Sequence, residues 1–137
     1  MTGLHSSAAS LRIKGDDLDP DEISRILCCS PTIGFRKGQL FRQKSTGQDF
    51  AKKSGMWILD ADDEFPGNLD KQIERIFQRL NSDLDIWAEI ARRFEIHLSC
   101  GFFMKSTNEG IAISPNMLRI LGDRSISLDL SIYAPLT

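Results

Sequence analysis

A chain of 137 residues is the size of one ordinary domain and can bury a core. With 41% apolar and 26% charged residues it has a globular composition, and a formal net charge of −2 gives no global pull toward nucleic acid or an anionic membrane. No run approaches the ~20 apolar residues a membrane helix needs, and Met1 to Ala9 lacks the apolar stretch of a secretory signal.

Met1 to Ala8 reads as a short flexible N-terminus ahead of a single domain over residues 9–137. Ala9, Leu11 and Ile13 then alternate with Ser10, Arg12 and Lys14, the pattern of a half-buried strand. "LDPDEISRIL" (18–27) is a complete helix start. Asp19 is placed as N-cap, Pro20 at the first helical position, Glu22 as the far half of a capping box, and Leu18 with Ile23 as a hydrophobic staple. Pro31 closes that element. Residues 34–55 are punctuated by glycine and rich in Lys and Arg, with a weak strand near Gln39–Lys44 and then a loop. Gly55–Leu59 reads as another strand, in which the facing of Trp57 is ambiguous because both neighbours are apolar.

An acidic turn follows at Asp60, Asp62, Asp63 and Glu64. Leu69, Ile73, Ile76, Phe77 and Leu80 keep helical spacing, and Ser82 is placed to cap a second helix that buries Leu84, Trp87, Ile90, Ala91 and Phe94. The clearest strand has Ile96, Leu98, Cys100, Phe102 and Met104 alternating with His97, Ser99, Gly101 and Phe103. "ISPNML" (113–118) repeats the staple-cap-proline device and starts a short helix ending at Gly122. A last strand carries Leu128, Leu130 and Ile132 against Ser127, Asp129, Ser131 and Tyr133. Because several strands alternate rather than being apolar throughout, the expectation is an α+β domain. It is a two-layer sandwich with a mixed, largely antiparallel sheet of about five strands and about four helices on one face.

The order of these signals resembles a bacterial family known as domain of unknown function 4279. The resemblance rests on "LRIKGDDLDPDEISRILCCSPT", "GMWIL", the helical pair, "GIAISPNMLRIL" and "SLDLSIY", and spans roughly residues 9–134. Leu27-Cys28-Cys29-Ser30 departs from it, standing where the family pattern has a Leu-Gly-aliphatic turn. The resemblance implies a small α/β bacterial domain and brings no catalytic residues with it.

Candidate chemistry is sparse. Cys28, Cys29 and Cys100 make a poor disulfide framework, point to a reducing cytoplasm, and with two histidines offer no recognisable zinc spacing. The acidic turn fails as a calcium loop, since the sixth residue from Asp60 is Phe65 and the twelfth is Lys71. It reads instead as a solvated loop free to move. No metal and no cofactor is expected. The basic segment, with Arg36, Lys37, Arg42 and Lys44 among three phenylalanines, is a footprint for phosphate or an acidic protein surface, without any nucleic-acid recognition motif.

The outer sheet face is the stronger candidate. Alternation places Arg12, Lys14, His97, Ser99, Phe103, Asp129 and Tyr133 on it. Ser, His and Asp are all present there, yet mid-strand serines without a nucleophile elbow fall short of a triad. The leading reading is a non-enzymatic cytoplasmic domain that binds another protein, of which an immunity-type or inhibitor-type role is one version. A domain binding a small molecule or anion on the open face is the alternative, a homodimer through that face is a further one, and an enzyme stands third. A concave, partly apolar cavity beside Arg12 and His97 favours a ligand. A flat face with exposed Phe103 and Tyr133 favours a partner protein.

Overall fold

The computed structural model describes residues 2–136. In chain order the elements are β1 (Thr2–Gly3), β2 (Ser6–Gly15), α1 (Pro20–Leu27), β3 (Ile33–Phe35), β4 (Leu40–Arg42), β5 (Asp49–Ala51) and β6 (Gly55–Asp60). There follow α2 (Leu69–Gln78), α3 (Leu84–Arg93), β7 (Glu95–Phe103), β8 (Glu109–Gly110), α4 (Pro115–Asp123) and β9 (Ser127–Tyr133). The main sheet has five strands in the order β3-β6-β2-β7-β9. All its pairs are antiparallel except β7 with β9, where the α4 crossover makes the pairing parallel. The fold is therefore α+β with a mixed, largely antiparallel sheet.

Period-two alternation divides the sheet into two faces. Leu11, Ile13, Trp57, Leu59, Ile96 and Leu98 are buried with Ile23, Leu27, Ile73, Ile76, Trp87 and Ile90 of α1, α2 and α3. The two tryptophans are fully buried because each indole N–H has a partner: Trp57 donates to Ser24 Oγ at 3.1 Å and Trp87 to the Asn81 carbonyl at 2.7 Å. Trp57 thus faces the core. Gly55 lies opposite Gly15, and a Cβ at Gly55 would stand 2.9 Å from the carbonyl oxygens of Gly15 and Leu18, so only glycine lets the two strands close there.

Several local expectations are corrected. Residues 2–8 do not behave as a flexible end: β1 pairs with β8, Leu4 is buried and β2 begins at Ser6, while Met1 lies outside the described residues. Asp19 caps α1 by accepting from Asp21 N at 3.0 Å, but the capping box stays open. Glu22 instead takes a charge-assisted bond from Arg93, at 2.9 Å, at the end of α3. Asp83, not Ser82, caps α3, and α4 continues one residue past Gly122. The basic segment folds into a β4–β5 hairpin where a single weak strand and a loop were expected. Lys52 fastens it, its ammonium 4.0 Å over the Phe41 ring and 4.4 Å over Phe35 of the edge strand.

At the end of α1, Cys28 occupies the left-handed region, with φ 59° and ψ 38°. Its N–H and that of Cys29 both return to the Ser24 carbonyl, so this is the closing turn that glycine usually makes. The departure from the family pattern leaves the turn's geometry in place and puts a side chain where it is strained. Glycine at this exposed position removes the steric conflict. Cys28→Gly is therefore expected to raise stability by about 0.5–1 kcal/mol in urea unfolding, and a loss would contradict the assignment of the strain.

A second local device joins the N-terminus to the 105–110 turn. Glu109 accepts from the backbone N–H of His5 at 2.8 Å, of Lys105 at 2.8 Å and of Ser106 at 2.6 Å, and from Ser106 Oγ at 2.9 Å. Desolvation works to raise this carboxyl, but the hydrogen bonds outweigh it and bring the group down to about 2. A lowered folded value means the stabilisation is complete above the ordinary carboxylate range and is lost as pH falls toward about 2. The stability gap between wild type and Glu109→Gln should be widest above pH 5 and shrink toward pH 2. Urea midpoints measured across that range check it, and a constant gap would show that the clamp does not operate.

Candidate functional site

The face opposite the helices is a lattice of cross-strand rows. Ile58, Arg12, His97 and Ser127 form one row; Asp60, Ser10, Ser99 and Asp129 the next; then Ala8, Gly101 and Ser131; then Ser6, Phe103 and Tyr133. Small residues in the two middle rows leave a trough of about 600 Å³, with Arg12 toward one end and the Phe103–Tyr133 pair at the other. The two rings are stacked, 4.8 Å apart and 5° from parallel, yet remain 41% and 52% exposed. Their face is held ready by packing that already exists in the free domain.

One wall comes from the acidic turn, which is not a free loop. Ala61 N donates to the Ala9 carbonyl at 2.9 Å, and Ser7 and Glu64 exchange both backbone bonds at 3.0–3.1 Å. From the Ser10–Asp60 pair to the Ser7–Glu64 pair, β2 advances three residues and the other strand four, so one extra residue is accommodated as a β-bulge at Asp62–Asp63. The bulge turns Asp63 into the trough beside Asp60. Glu64 turns to the helix side, where Lys71 and Arg75 of α2 lie at 3.3 and 3.5 Å.

The bulge is held by a buried amide. Gln72, 1% exposed, donates from Nε2 to the carbonyls of Asp62 and Ser7, both at 2.9 Å, and accepts from Ser7 Oγ at 2.8 Å. Ser7 Oγ in turn accepts from Asn68 N at 2.9 Å, and Asn68 caps α2. Every polar atom of this cluster has a partner, so it costs little to bury and resists rearrangement.

The electrostatics of the trough are mixed. Arg12 is held upright by its Nε–H bond to Ser10 Oγ at 3.0 Å. Asp129 Oδ2 lies 2.9 Å from His97 Nδ1, a close polar contact that lacks hydrogen-bond geometry. Three carboxylates, Asp60, Asp63 and Asp129, face one guanidinium. Among the described residues, no serine hydroxyl is hydrogen-bonded to His97, and no group of three or more His, Cys, Asp or Glu is placed to hold a metal ion. With its carboxylates, its imidazole and Arg12 gathered on one side, the trough can bind and orient charged groups.

Of the residues that sequence reasoning placed on this face, Arg12, Ser99, Phe103, Asp129 and Tyr133 line the trough. His97 contacts Asp129 without lining the trough, and Lys14 sits at the far end of β2 opposite Glu95, outside it. The basic segment is not gathered there. Arg36 pairs with Asp19 at 3.0 Å, Lys37 with Asp16 at 3.3 Å and Arg42 with Asp49 at 3.5 Å, which neutralises most of that charge locally, while Lys44 is exposed in the hairpin turn. Ser10 and Gly101 follow from strand alternation but carry no chemistry that marks them as a floor, and Ala8 joins them only because β2 extends back to Ser6. Asp63 had no sequence signal, since a bulge shifts its facing. All three cysteines are free thiols. Cys100 lies on the core side, where burial, and secondarily the charge of Asp129, pushes the thiol up to about 12 and leaves it unreactive.

A small α+β domain with one covered and one open sheet face is thus the class defined by the fold. Its family model is Domain of unknown function (DUF4279), which matches residues 5–135, and the chain belongs to that family. Neither the comparison with curated proteins nor that with solved structures found a match. No helix among the described residues is long and apolar enough to cross a membrane.

Gln72 is the positioning residue for the trough wall. Gln72→Leu has similar volume and greater apolarity, yet leaves the Asp62 carbonyl and the Ser7 hydroxyl short of partners. A loss of about 2 kcal/mol is expected in urea unfolding, and combining it with Ser7→Ala should cost less than the sum of the two single changes. Stability equal to wild type would show that the amide network is dispensable.

Proposed function

We propose that this is a non-enzymatic recognition domain of a bacterial cytoplasmic protein, and that it binds another protein through the open sheet face. The observation that carries this reading is the exposed, stacked Phe103–Tyr133 pair standing at the end of a small-residue trough. Flat aromatic surface already ordered in the free state binds at low entropic cost, and aromatic residues beside a desolvated pocket are where interface energy concentrates. Three carboxylates against one guanidinium make a lysine or arginine side chain the best-fitting insert, with Arg12 turned to a carboxylate or carbonyl of the same segment. The free thiols support a reducing compartment. An inhibitor-type or immunity-type role is the concrete version of this reading.

A second reading has one observation in its favour. A concavity of about 600 Å³ next to an oriented Arg12 is within the size range of small-molecule sites. A zwitterion would suit its mixed charges better than a simple anion.

A photo-reactive phenylalanine analogue at position 133, used in host cells, captures whatever protein sits on the face, and mass spectrometry identifies it. Calorimetry with the purified partner should then show Tyr133→Ala and Asp63→Asn each weakening binding by about tenfold or more, the range of interface hot spots, with Arg42→Ala close to wild type. Binding lost on Arg42→Ala but kept in both face variants would place the interface on the hairpin instead. Saturable binding of a free amino acid or dicarboxylate at Arg12, with no protein captured, would favour the second reading.

A further inference from the structure

The exposed edge of the sheet at β9 raises a separate question. In β2, β6 and β7 the positions on the helix face are buried, as alternation requires. In β9 the same face carries Leu128, Leu130 and Ile132, of which Leu130 is 45% and Ile132 63% exposed. Helix α4, which packs alongside β9, adds the exposed Leu118. The chain's own helices therefore leave an apolar strip uncovered at one side of the sheet.

The backbone of β9 is open in the same place. Met104 N donates to the Tyr133 carbonyl at 3.0 Å, so the main-chain groups of Tyr133 point toward β7. By alternation those of Ser127, Asp129 and Ser131 do likewise, and the N–H and C=O groups of Leu128, Leu130 and Ile132 point away from the sheet. The pairing with β7 runs unbroken over seven residues without a bulge, and β9 contains no proline, lysine or arginine. The opposite edge is protected: β3 has only three residues, and the Lys52-fastened hairpin stands over its Phe35. Long, regular edges without such protection pair with further strands.

We propose that β9 is a homodimerisation edge, on which a second copy of this chain pairs antiparallel about a two-fold axis at Leu130. The register follows from the strand itself. With Leu130 on the axis, Leu128 faces Ile132 of the partner copy, so all three outward-pointing residues meet outward-pointing residues and the free backbone groups are satisfied on both strands. On the helix face the apolar strips of the two copies cover one another. On the open face Asp129 meets Ser131 and Ser127 meets Tyr133, so no carboxylate stands directly opposite its own copy. Any other antiparallel register breaks one of these matches, and self-complementarity of this kind is what a two-fold interface requires. The product is a continuous ten-stranded sheet with both troughs on one side. The strand is about 23 Å long, which makes the interface small, and association in the micromolar range is expected.

Sedimentation equilibrium between 1 and 500 µM tests it on the intact chain. Wild type should show a monomer–dimer equilibrium. Ile132→Lys, a change at an exposed position, should weaken association by at least about tenfold. Leu130→Pro removes an outward N–H without touching the bonds to β7, and should do the same with an unchanged circular dichroism spectrum. Arg12→Ala, on the open face, should leave the equilibrium as it is. A wild-type chain that stays monomeric at 500 µM overturns the proposal. So does a dimer that survives Ile132→Lys, or one that is lost with Arg12→Ala.

Discussion

The amide of Gln72 is buried between a strand, a helix and a turn, and three parts of the molecule depend on its bonds. Nε2 holds the carbonyls of Ser7 and Asp62, Oε1 holds the Ser7 hydroxyl, and that hydroxyl receives the backbone N–H of the α2 cap. A buried amide tolerates no partial arrangement, because each unmatched group would carry its full desolvation cost. The start of α2, the start of β2 and the bulge after β6 are consequently fixed relative to one another. Asp70 extends the same logic, its carboxylate accepting from Ser114 N at 2.9 Å and tying α2 to the cap of α4.

From this constraint the trough follows. The β2–β6 ladder delivers Asp60 to the open face, and the bulge is what brings Asp63 to the same side. Without the extra residue, strict alternation would turn Asp63 toward the helices and Glu64 toward the trough, exchanging a free carboxylate for one that Lys71 and Arg75 now neutralise. Polar packing on the covered side thus decides the charge of the exposed side. The two faces of one sheet are chemically distinct, but they are mechanically a single object.

Much of the architecture was legible beforehand, because periodicity reports directly on which side chains avoid water. The two devices "LDPDEI" and "ISPNML" begin helices where proline and cap stand together, and the alternation in 9–14, 96–103 and 127–133 assigned Arg12, Phe103, Asp129 and Tyr133 to one face. Details that failed were those in which a side chain chose between a local and a distant partner. Glu22 has a capping role available to it three residues away but meets Arg93 instead, and in the basic run Arg36, Lys37 and Arg42 pair with Asp19, Asp16 and Asp49. Charge in a sequence window cannot show which acids tertiary contact will bring to it.

By itself the sequence determined the four helices and the main strands, the starts of α1 and α4 set by proline and cap, the two-faced sheet and the resemblance to the family. These rest on interactions within a few residues, or on a period that every strand repeats. Tertiary structure alone decided the burial of Trp57, the ordering of residues 2–8, the aim of Asp63, and the exposure of Leu130 and Ile132 despite their core-like alternation. The physical reason is common to all four. A side chain's facing follows from its own strand, but whether anything covers it, or a bulge displaces it, depends on elements remote in the chain that no local pattern encodes.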